Sequence, residues 1–191
     1  MKNNFYSQNG LKTLGLKDFG DNVLISKKAS IYGAENISVG NNVRIDDFCV
    51  LSGKIEIGNY VHISAGAHLF AGDAGIIMRD FSGLSPGVKV FAISDDFSGN
   101  VMVNSMVNIE YRNLKKGRVI LNKHCQIGTN TVILPGVVLS EGAIVGAQSL
   151  VKGCIAQWTV NVGIPAKSIK NRSRKVLELE KQFLKEHKHG G

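Results

Sequence analysis

Aliphatic residues recur every six positions along most of this chain, and a second, often smaller, inward-type residue stands two places before most of them. The pattern begins at Val23 and Ile25 and runs, with one eight-residue step, to Ala67 and Leu69. The other positions in phase are Ile31, Val39, Ile45, Leu51, Ile57, Ile63, Met78, Leu84, Val90, Leu121, Ile127, Ile133, Leu139, Val145, Val151 and Val162. A period of six is typical neither of a helix nor of one long alternating strand.

This period predicts a short strand followed by a sharp turn, repeated around the three sides of a prism. Glycine or a small residue after the aliphatic position permits the bend, as at Gly40, Gly58, Ser64, Gly128 and Gly146. Three such units make one coil, so the repeats predict an all-β chain, a parallel β-helix of about six coils stacked at the spacing of paired strands.

The regions outside the repeats predict the remaining organisation. Residues 1–22 are predicted to cap the first coil, and residues 23–164 to form the prism. The pattern breaks over about 94–117, which predicts one long external loop of the kind that usually serves function. Residues 165–191 are predicted to form a basic C-terminal helix and tail, with Ser173 as its N-cap and the helix covering the far end of the prism.

Composition fits one soluble globular domain. The 191 residues are 43% hydrophobic and 20% charged, which excludes a disordered chain. No apolar run reaches the length of a transmembrane helix and no secretory signal opens the chain, so we expect a cytoplasmic protein without membrane insertion. The odd number of cysteines (Cys49, Cys125 and Cys154) shows no metal-binding spacing and predicts free thiols rather than a disulfide framework or a zinc site.

The positive charge is concentrated near the C-terminus. Residues 152–191 carry nine Lys and Arg against three Asp and Glu, within a chain whose net charge is +8. Such a surface is either simply solvated or a site for a phosphate-bearing small molecule or a nucleic acid. Because no aromatic residues are interleaved with the basic ones, nucleic acid is not the predicted partner.

The repeats, the stretch ILPGVVLSEGAIVGAQSLVKG and the closing VGIPAKSIK together resemble the left-handed parallel β-helix acyltransferases over nearly the whole chain. The stretches DFSGLSPGVKVFAISDDFSGNVMVNSMV and GLKDFGDNVLISKKASIYGAENISVG resemble a branch, related to the galactoside and maltose acetyltransferases, that acetylates sugars of bacterial surface polysaccharides. The resemblance implies the left-handed sense of the helix, which periodicity does not reveal. It also implies a homotrimer with active sites between prisms, acetyl-coenzyme A as donor, and a small sugar or nucleotide-sugar acceptor. The sequence itself offers no metal-binding motif, so no metal is expected.

Acetyl transfer needs a base for the proton of the attacking hydroxyl or amine, and donors for the oxyanion. In the galactoside and maltose branch the base is a histidine that follows a proline and an apolar pair. Matching that motif onto Pro86, Val88 and Val90 puts Asp95 at the histidine's place. Asp95 and Asp96 are therefore candidate catalytic residues, either as base or as the groups that orient a histidine.

A histidine from elsewhere in the chain is the alternative base. His62 stands between inward-facing Val61 and Ile63, so it is predicted to point outward, where a neighbouring subunit can bring its loop. The same parity places His68 outward, as a candidate substrate-binding residue. His124 falls in a turn and is predicted to be structural.

Other positions are candidates for binding. Ser94 and Asn104, with Asn108 as a weaker third, are candidates for contacts with the acceptor sugar. By resemblance, the outer surface of the later coils holds the coenzyme: there Gln126 replaces a frequent tryptophan, a small-residue segment accommodates the pantetheine arm, and lysines meet the phosphates. These coenzyme-binding candidates are Gln126, Gly146, Ala147, Ser149, Lys152, Lys167 and Lys170.

Two other functions are compatible with the same prism. One is a non-catalytic trimeric scaffold. The other is a γ-carbonic-anhydrase-like zinc enzyme, but His62, His68 and His124 lack the spacing of its three ligands. The sequence leaves open both the acceptor and whether an oxygen or a nitrogen is acetylated.

Substituting His62→Ala is expected to lower kcat for acetyl transfer by at least about 100-fold, the scale of a lost general base. Release of the coenzyme thiol measures the rate, with His68→Ala as the comparison. Turnover near that of the wild type in the His62 variant would move the role to Asp95 or His68.

Overall fold

A computed structural model describes residues 4–187 of the chain. Within them lie two α-helices, α1 (Gln8–Thr13) and α2 (Val176–His187), and short 3₁₀ turns at Ala34–Asn36 and Ile109–Tyr111. The strands are β1 (Asp18–Phe19), β2 (Leu24–Ile25), β3 (Ser30–Tyr32), β4 (Ile37–Val39), β5 (Arg44–Ile45), β6 (Val50–Ile57), β7 (His62–Ile63), β8 (His68–Met78), β9 (Gly83–Leu84), β10 (Lys89–Phe91), β11 (Ile93–Asp95), β12 (Leu114–Lys116), β13 (Val119–Leu121), β14 (Gln126–Ile127), β15 (Val132–Ile133), β16 (Val138–Leu139), β17 (Ile144–Val145), β18 (Leu150–Val151), β19 (Thr159–Gly163) and β20 (Ala166–Asn171).

Parallel pairing stacks these strands into three faces of a prism. Face A contains β2, β5, β7, β9, β14, β17 and β19. Face B contains β3, β10, β15, β18 and the first halves of β6 and β8, and face C contains β1, β4, β13, β16 and the second halves of β6 and β8. The predicted all-β, left-handed parallel β-helix is confirmed, with about seven turns rather than about six.

The alternation inferred from the sequence fills the prism with aliphatic side chains. In the two-residue strands of face A the second residue points inward, and it is almost fully buried at Ile25, Ile45, Ile63, Leu84, Ile127 and Val145. Each such side chain contributes about 1.5–3 kcal/mol to folding through its burial. The last predicted pair, Val160 and Val162, is wrong: Asn161 points inward at 3% exposure, whereas Val162 is 37% exposed. The amide of Asn161 is satisfied by donating to the carbonyl of Ile144.

Two of the three cysteines belong to this core. Cys49 and Cys125 are fully buried, and their thiols donate to the carbonyls of Ser64 and Ser140. Burial raises the pKa of Cys49 to about 11 and that of Cys125 to about 12. Both therefore remain neutral thiols at physiological pH and are not nucleophiles. Cys154 is exposed, and all three are free.

The two ends of the chain differ from the expected boundaries. Helix α1, capped by Ser7, places the fully buried Leu11 against the first coil, but β1 already belongs to face C inside the predicted cap. At the other end, β20 pairs antiparallel with β19, and the helix starts only at Val176. Ser173 accepts from the backbone N–H of Lys175, just before the helix. Residues 1–3 and 188–191 of the predicted terminal segments lie outside the described residues.

Helix α2 lies along the side of the prism, not across its end as the sequence predicted. Its docking surface is a column of aromatic residues at the corner between faces C and A, here called the corner ladder: Tyr60, Phe81, His124 and Trp158. Tyr60 stacks on Phe81 at 4.7 Å and Phe81 on His124 at 5.3 Å, and Phe183 of the helix meets Tyr60 edge-on at 5.3 Å.

A buried carboxylate fastens the helix to this ladder. Glu180 lies 2.7 Å from His124 Nε2 and accepts from Lys123 at 2.5 Å. Burial raises the pKa of Glu180, but these two hydrogen bonds outweigh that effect and bring the pKa below its ordinary value. The carboxylate is therefore ionised at neutral pH, as the contact with Lys123 requires.

Substituting Gly142→Ala tests the packing of the corner ladder. Gly142 has φ +70°, and a methyl group there would meet the Trp158 ring at 2.5 Å. Gly15 is the matched control, because it has φ +72° and no heavy atom within 4 Å of its added methyl group. Both variants carry the backbone strain, so the clash should lower the free energy of unfolding of Gly142→Ala by about 1–3 kcal/mol more than that of Gly15→Ala.

Denaturant midpoints of the two variants make the comparison, with near-ultraviolet circular dichroism reporting on the tryptophan. Equal losses in both variants would mean that the ring moves aside without cost and that the ladder is not tightly packed.

Candidate active site

The long loop leaves the prism at the corner between faces B and C on a short hairpin. In this hairpin β11 pairs antiparallel with β12, with Ser94 opposite Lys115 and Asp95 opposite Leu114. The ends of the excursion are tied together, since Gly117 donates its N–H to the carbonyl of Ala92 at 2.9 Å. The root of the loop is therefore a fixed part of the fold.

Asp95 lies at this root in a half-buried ion pair. Its Oδ1 accepts from Arg112 Nη2 at 2.9 Å, and the two side chains are 25% and 12% exposed. Ser94 donates its hydroxyl to the backbone carbonyl of Asp95 at 3.2 Å. The carboxylate is thereby held at the surface of the hairpin rather than free to rotate.

Asp96 occupies a different environment. It accepts from the N–H of Ser98 at 3.0 Å and from Asn113 Nδ2 at 3.1 Å, and Lys115 lies 3.4 Å away. The hydrogen bond from Ser98 lowers the pKa of Asp96 below its ordinary value. These contacts fasten the first turn of the loop, whereas Asp95 is the carboxylate that borders open space.

Two clefts meet at Ser94, Asp95 and Phe97. One, of about 340 Å³, is completed by Lys115, Leu134, Pro135 and Lys152. The other, of about 310 Å³, is completed by Phe91, Ile93, Arg112 and Leu114. The structure thus brings together three residues that the sequence assigned to different tasks, namely Ser94 for the acceptor, Asp95 for catalysis and Lys152 for the coenzyme.

His62 belongs to a second cluster, on face A. Its Nε2 lies 2.8 Å from Asp46 Oδ2, and Arg44 donates to Asp46 Oδ1 at 2.7 Å. Burial raises the pKa of Asp46, but the hydrogen bonds from Arg44 and His62 outweigh it, so the pKa lies below the ordinary value. Within one chain the carboxylate that orients His62 is therefore Asp46. The expectation that Asp95 or Asp96 orients a histidine stays a prediction, since the resemblance places the active site between subunits.

The two clusters are separate within one chain. His62 points outward from face A with half of its side chain exposed, whereas Asp95 lies at the corner between faces B and C. No hydrogen bond or cleft found in residues 4–187 joins them. One prism alone does not complete a site that uses both.

Two other candidates lie away from the clefts around Asp95. His68 points outward from face B with its ring edge-on to Phe70 at 5.8 Å. Asn104 lies in the exposed part of the loop, where its side-chain oxygen accepts from the N–H of Met106. That hydrogen bond shapes the loop, and the acceptor contacts expected of both residues remain predictions.

The coenzyme candidates are divided among several surfaces. Gln126 donates to the carbonyl of Phe81 at 3.0 Å and borders the groove between face A and α2. Gly146 and Ala147 lie at the corner between faces A and B, and Lys167 and Lys170 are exposed on β20. Lys152 lies apart from them, beside Asp95.

Ser149 does not present its polar groups to the outer surface. It is 3% exposed, its hydroxyl accepts from the N–H of Gly163, and its own N–H donates to Thr131 Oγ1. The hydrogen-bonding groups of Ser149 are therefore used within the prism, and the expectation that its segment lets the pantetheine arm lie against backbone groups stays a prediction.

Sequence reasoning missed Asp46 and Arg112. The repeat pattern could have identified Asp46, because Arg44 pairs with His62 in the parallel register and places Asp46 one coil from the histidine. Arg112 returns to Asp95 through a loop that has no periodicity, so no sequence signal points to it. Among residues 4–187 no group of three or more His, Cys, Asp or Glu could hold a metal ion, and no helix is long and apolar enough to span a membrane.

Known proteins resemble this chain along most of its length. Residues 36–71 match the family described as bacterial transferase hexapeptide (six repeats). A dTDP-4-amino-4,6-dideoxy-D-glucose acyltransferase of Escherichia coli is 48% identical over 91% of this chain and 91% of its own. The putative lipopolysaccharide biosynthesis O-acetyl transferase WbbJ of Escherichia coli K12 is 30% identical over 82% of this chain and 80% of its own.

Solved structures of AntD, an N-acyltransferase from Bacillus cereus, share the fold in detail. AntD in complex with dTDP and 3-hydroxybutyryl-CoA superimposes with a TM-score of 0.96 at 52% identity, covering 97% of this chain and 99% of its own. A serine variant of AntD, bound to dTDP-4-amino-4,6-dideoxyglucose and coenzyme A, gives a TM-score of 0.95 at 52% identity, covering 96% and 99%. The likeness therefore extends over nearly the whole chain.

Proposed function

Since the chain belongs to the hexapeptide-repeat acyltransferases and moves an acyl group from coenzyme A to a sugar, we propose that its acceptor is the amine of a dTDP-4-amino-4,6-dideoxyhexose. The observation that carries this proposal is the match, over nearly the full length, to an AntD variant that binds this nucleotide sugar together with coenzyme A. The Escherichia coli relative bears the same substrate in its name. The product suits the cytoplasmic stage of bacterial surface polysaccharide biosynthesis.

The reaction is a nucleophilic acyl substitution. The neutral amine attacks the thioester carbonyl carbon, a C–N bond forms, the C–S bond breaks, and the proton lost by nitrogen ends on the coenzyme sulfur. Amide and free coenzyme A result. We assign His62, held by Asp46, to carry that proton, because a histidine oriented by a carboxylate can accept and return a proton near neutral pH. Asp95 accepts a hydrogen bond from the amine and directs its lone pair toward the carbonyl carbon.

A homotrimer is the assembly that completes this site. Because His62 and Asp95 lie on different sides of one prism, a threefold arrangement can place the loop of one subunit against face A of the next. The outward side of face B offers apolar, half-buried side chains suited to subunit contact. These residues are Val50, Phe70, Phe91, Val132, Leu134 and Leu150.

Variants of AntD support Asp95, together with Ser85, as parts of the site. These solved variants substitute one aspartate and one serine that are ten positions apart, and Asp95 and Ser85 have the same spacing here. Ser85 follows Leu84 on face A, one coil beyond His62 in the parallel register. Ser85 therefore joins His62 on face A as a candidate for the acceptor side of the site.

Three lysines are candidates for binding the phosphates of the substrates. Lys152 borders the cleft at Asp95, and Lys167 and Lys170 are exposed on β20, which continues face A. Lysines act as point charges and bind the phosphates of coenzyme A or dTDP without a fixed geometry. Gln126, Gly146 and Ala147 remain the candidates for contact with the pantetheine arm.

An acceptor pair tests the function directly. With acetyl-CoA or 3-hydroxybutyryl-CoA, dTDP-4-amino-4,6-dideoxyglucose should yield one free thiol for each amide formed, as measured by thiol titration and product mass. dTDP-6-deoxyglucose, which carries a hydroxyl at the same carbon, should react at least about 100-fold more slowly, since a site built around the amine leaves its partners poorly matched to the hydroxyl. Equal or faster acylation of the hydroxyl sugar would refute the assignment.

Mixed trimers test the division of the site between subunits. His62→Ala and Asp95→Asn chains, co-expressed with different tags and purified through both, should regain activity, because about one interface in three of every trimer that contains both chains combines the intact residues. The control is a trimer made only of Asp95→Asn chains, which carry the same two tags and are purified in the same way. Mixed trimers no more active than this control would contradict a site that uses these two residues from neighbouring subunits.

A further inference from the structure

We infer that Arg112 is a positioning residue for acyl transfer, which holds the Asp95 carboxylate in the orientation that meets the acceptor amine. The inference rests on the function proposed above. It begins from the contact between Arg112 Nη2 and Asp95 Oδ1, at 2.9 Å. Within residues 4–187 no hydrogen bond engages the other oxygen of Asp95, which leaves that oxygen for a substrate.

Burial makes this ion pair different from a surface one. The Arg112 side chain is only 12% exposed, and its Nε is buried without a hydrogen-bond partner in the described part of the chain. A buried cation is strongly destabilising without a compensating charge, so the guanidinium holds the carboxylate in place far more firmly than an exposed lysine would. Asp95 is the one anion that the described residues place in a salt bridge with it.

The loop itself is built to deliver Arg112 to this position. The 3₁₀ turn at Ile109–Tyr111 ends at Arg112, whose N–H donates to the carbonyl of Ile109. Tyr111 accepts from the N–H of Met102 across the loop at 2.9 Å. These backbone contacts fold the excursion back on itself, so that a residue seventeen positions from Asp95 returns beneath it.

The neighbouring aspartate shows that Arg112 serves Asp95 alone. Asp96 is held by Ser98, Asn113 and Lys115, and none of these contacts involves Arg112. The two adjacent carboxylates therefore have separate supports. Asp96 closes the turn, and Arg112 sets the direction of Asp95.

Substituting Arg112→Met should lower kcat about 100-fold, the scale of a misplaced reacting group, while the KM for the nucleotide sugar changes much less. Arg112→Lys keeps the charge and should recover part of this loss. Lys116→Met is the control: Lys116 lies on the same hairpin, pairs with Asp73 at 2.7 Å, and should leave the rate near that of the wild type. Melting temperature and trimer mass are measured for every variant.

The decisive arm is the double variant Arg112→Met/Asp95→Asn. If Arg112 acts through Asp95, the double variant loses about 100-fold, the same as Asp95→Asn alone, rather than the product of about 10,000-fold that independent residues give. A double variant whose loss of activity equals the product of the two single losses would overturn the inference. A folded Arg112→Met enzyme with a normal kcat would also overturn it. So would an Arg112→Met loss that appears only as a raised KM or that Arg112→Lys does not relieve. A wild-type enzyme that fails to acylate the amino sugar overturns the proposed function instead.

Discussion

Direct stacking of one coil on the next, through parallel backbone hydrogen bonds, is the constraint on which the rest of this structure depends. Each strand is positioned by the strand of the neighbouring coil with which it pairs. As a result, Ile45, Ile63, Leu84 and Ile127 form one continuous column inside face A. The same pairing aligns the outward residues and the corners. Whether a residue packs in the core, supports the helix or faces a substrate therefore depends on its column rather than on its neighbours in the sequence.

Parity within the repeat was sufficient to place much of the molecule. It located the buried aliphatic residues and cysteines and put His62 on an outer surface. It failed at Val160 and Val162, because orientation there is set by the left-handed corner residue Trp158, and the third residue after a corner points inward. The third residue after His124, another corner residue with positive φ, is the buried Ile127. The rule is therefore general, but it can be applied only where the position of the corner residue is known.

Contacts that cross columns were beyond the reach of sequence reasoning. Helix α2 was expected at the end of the prism because its apolar face needed cover, but Tyr60, Phe81 and His124 become one surface only after the coils have stacked. Asp46 pairs with His62 for the same reason. The salt bridge between Arg112 and Asp95 depends on how an aperiodic loop folds, and no repeat constrains it.

The excursion between β10 and β13 leaves the prism intact beneath it. Strand β8 pairs directly with β13, and β10 with β15, so both ladders run past the insertion without a gap. Gly117 closes the root against Ala92. An enzyme lineage with this arrangement can therefore lengthen, shorten or exchange the loop while inheriting the same core, so that the surface around the loop can change without disturbing the stacked coils.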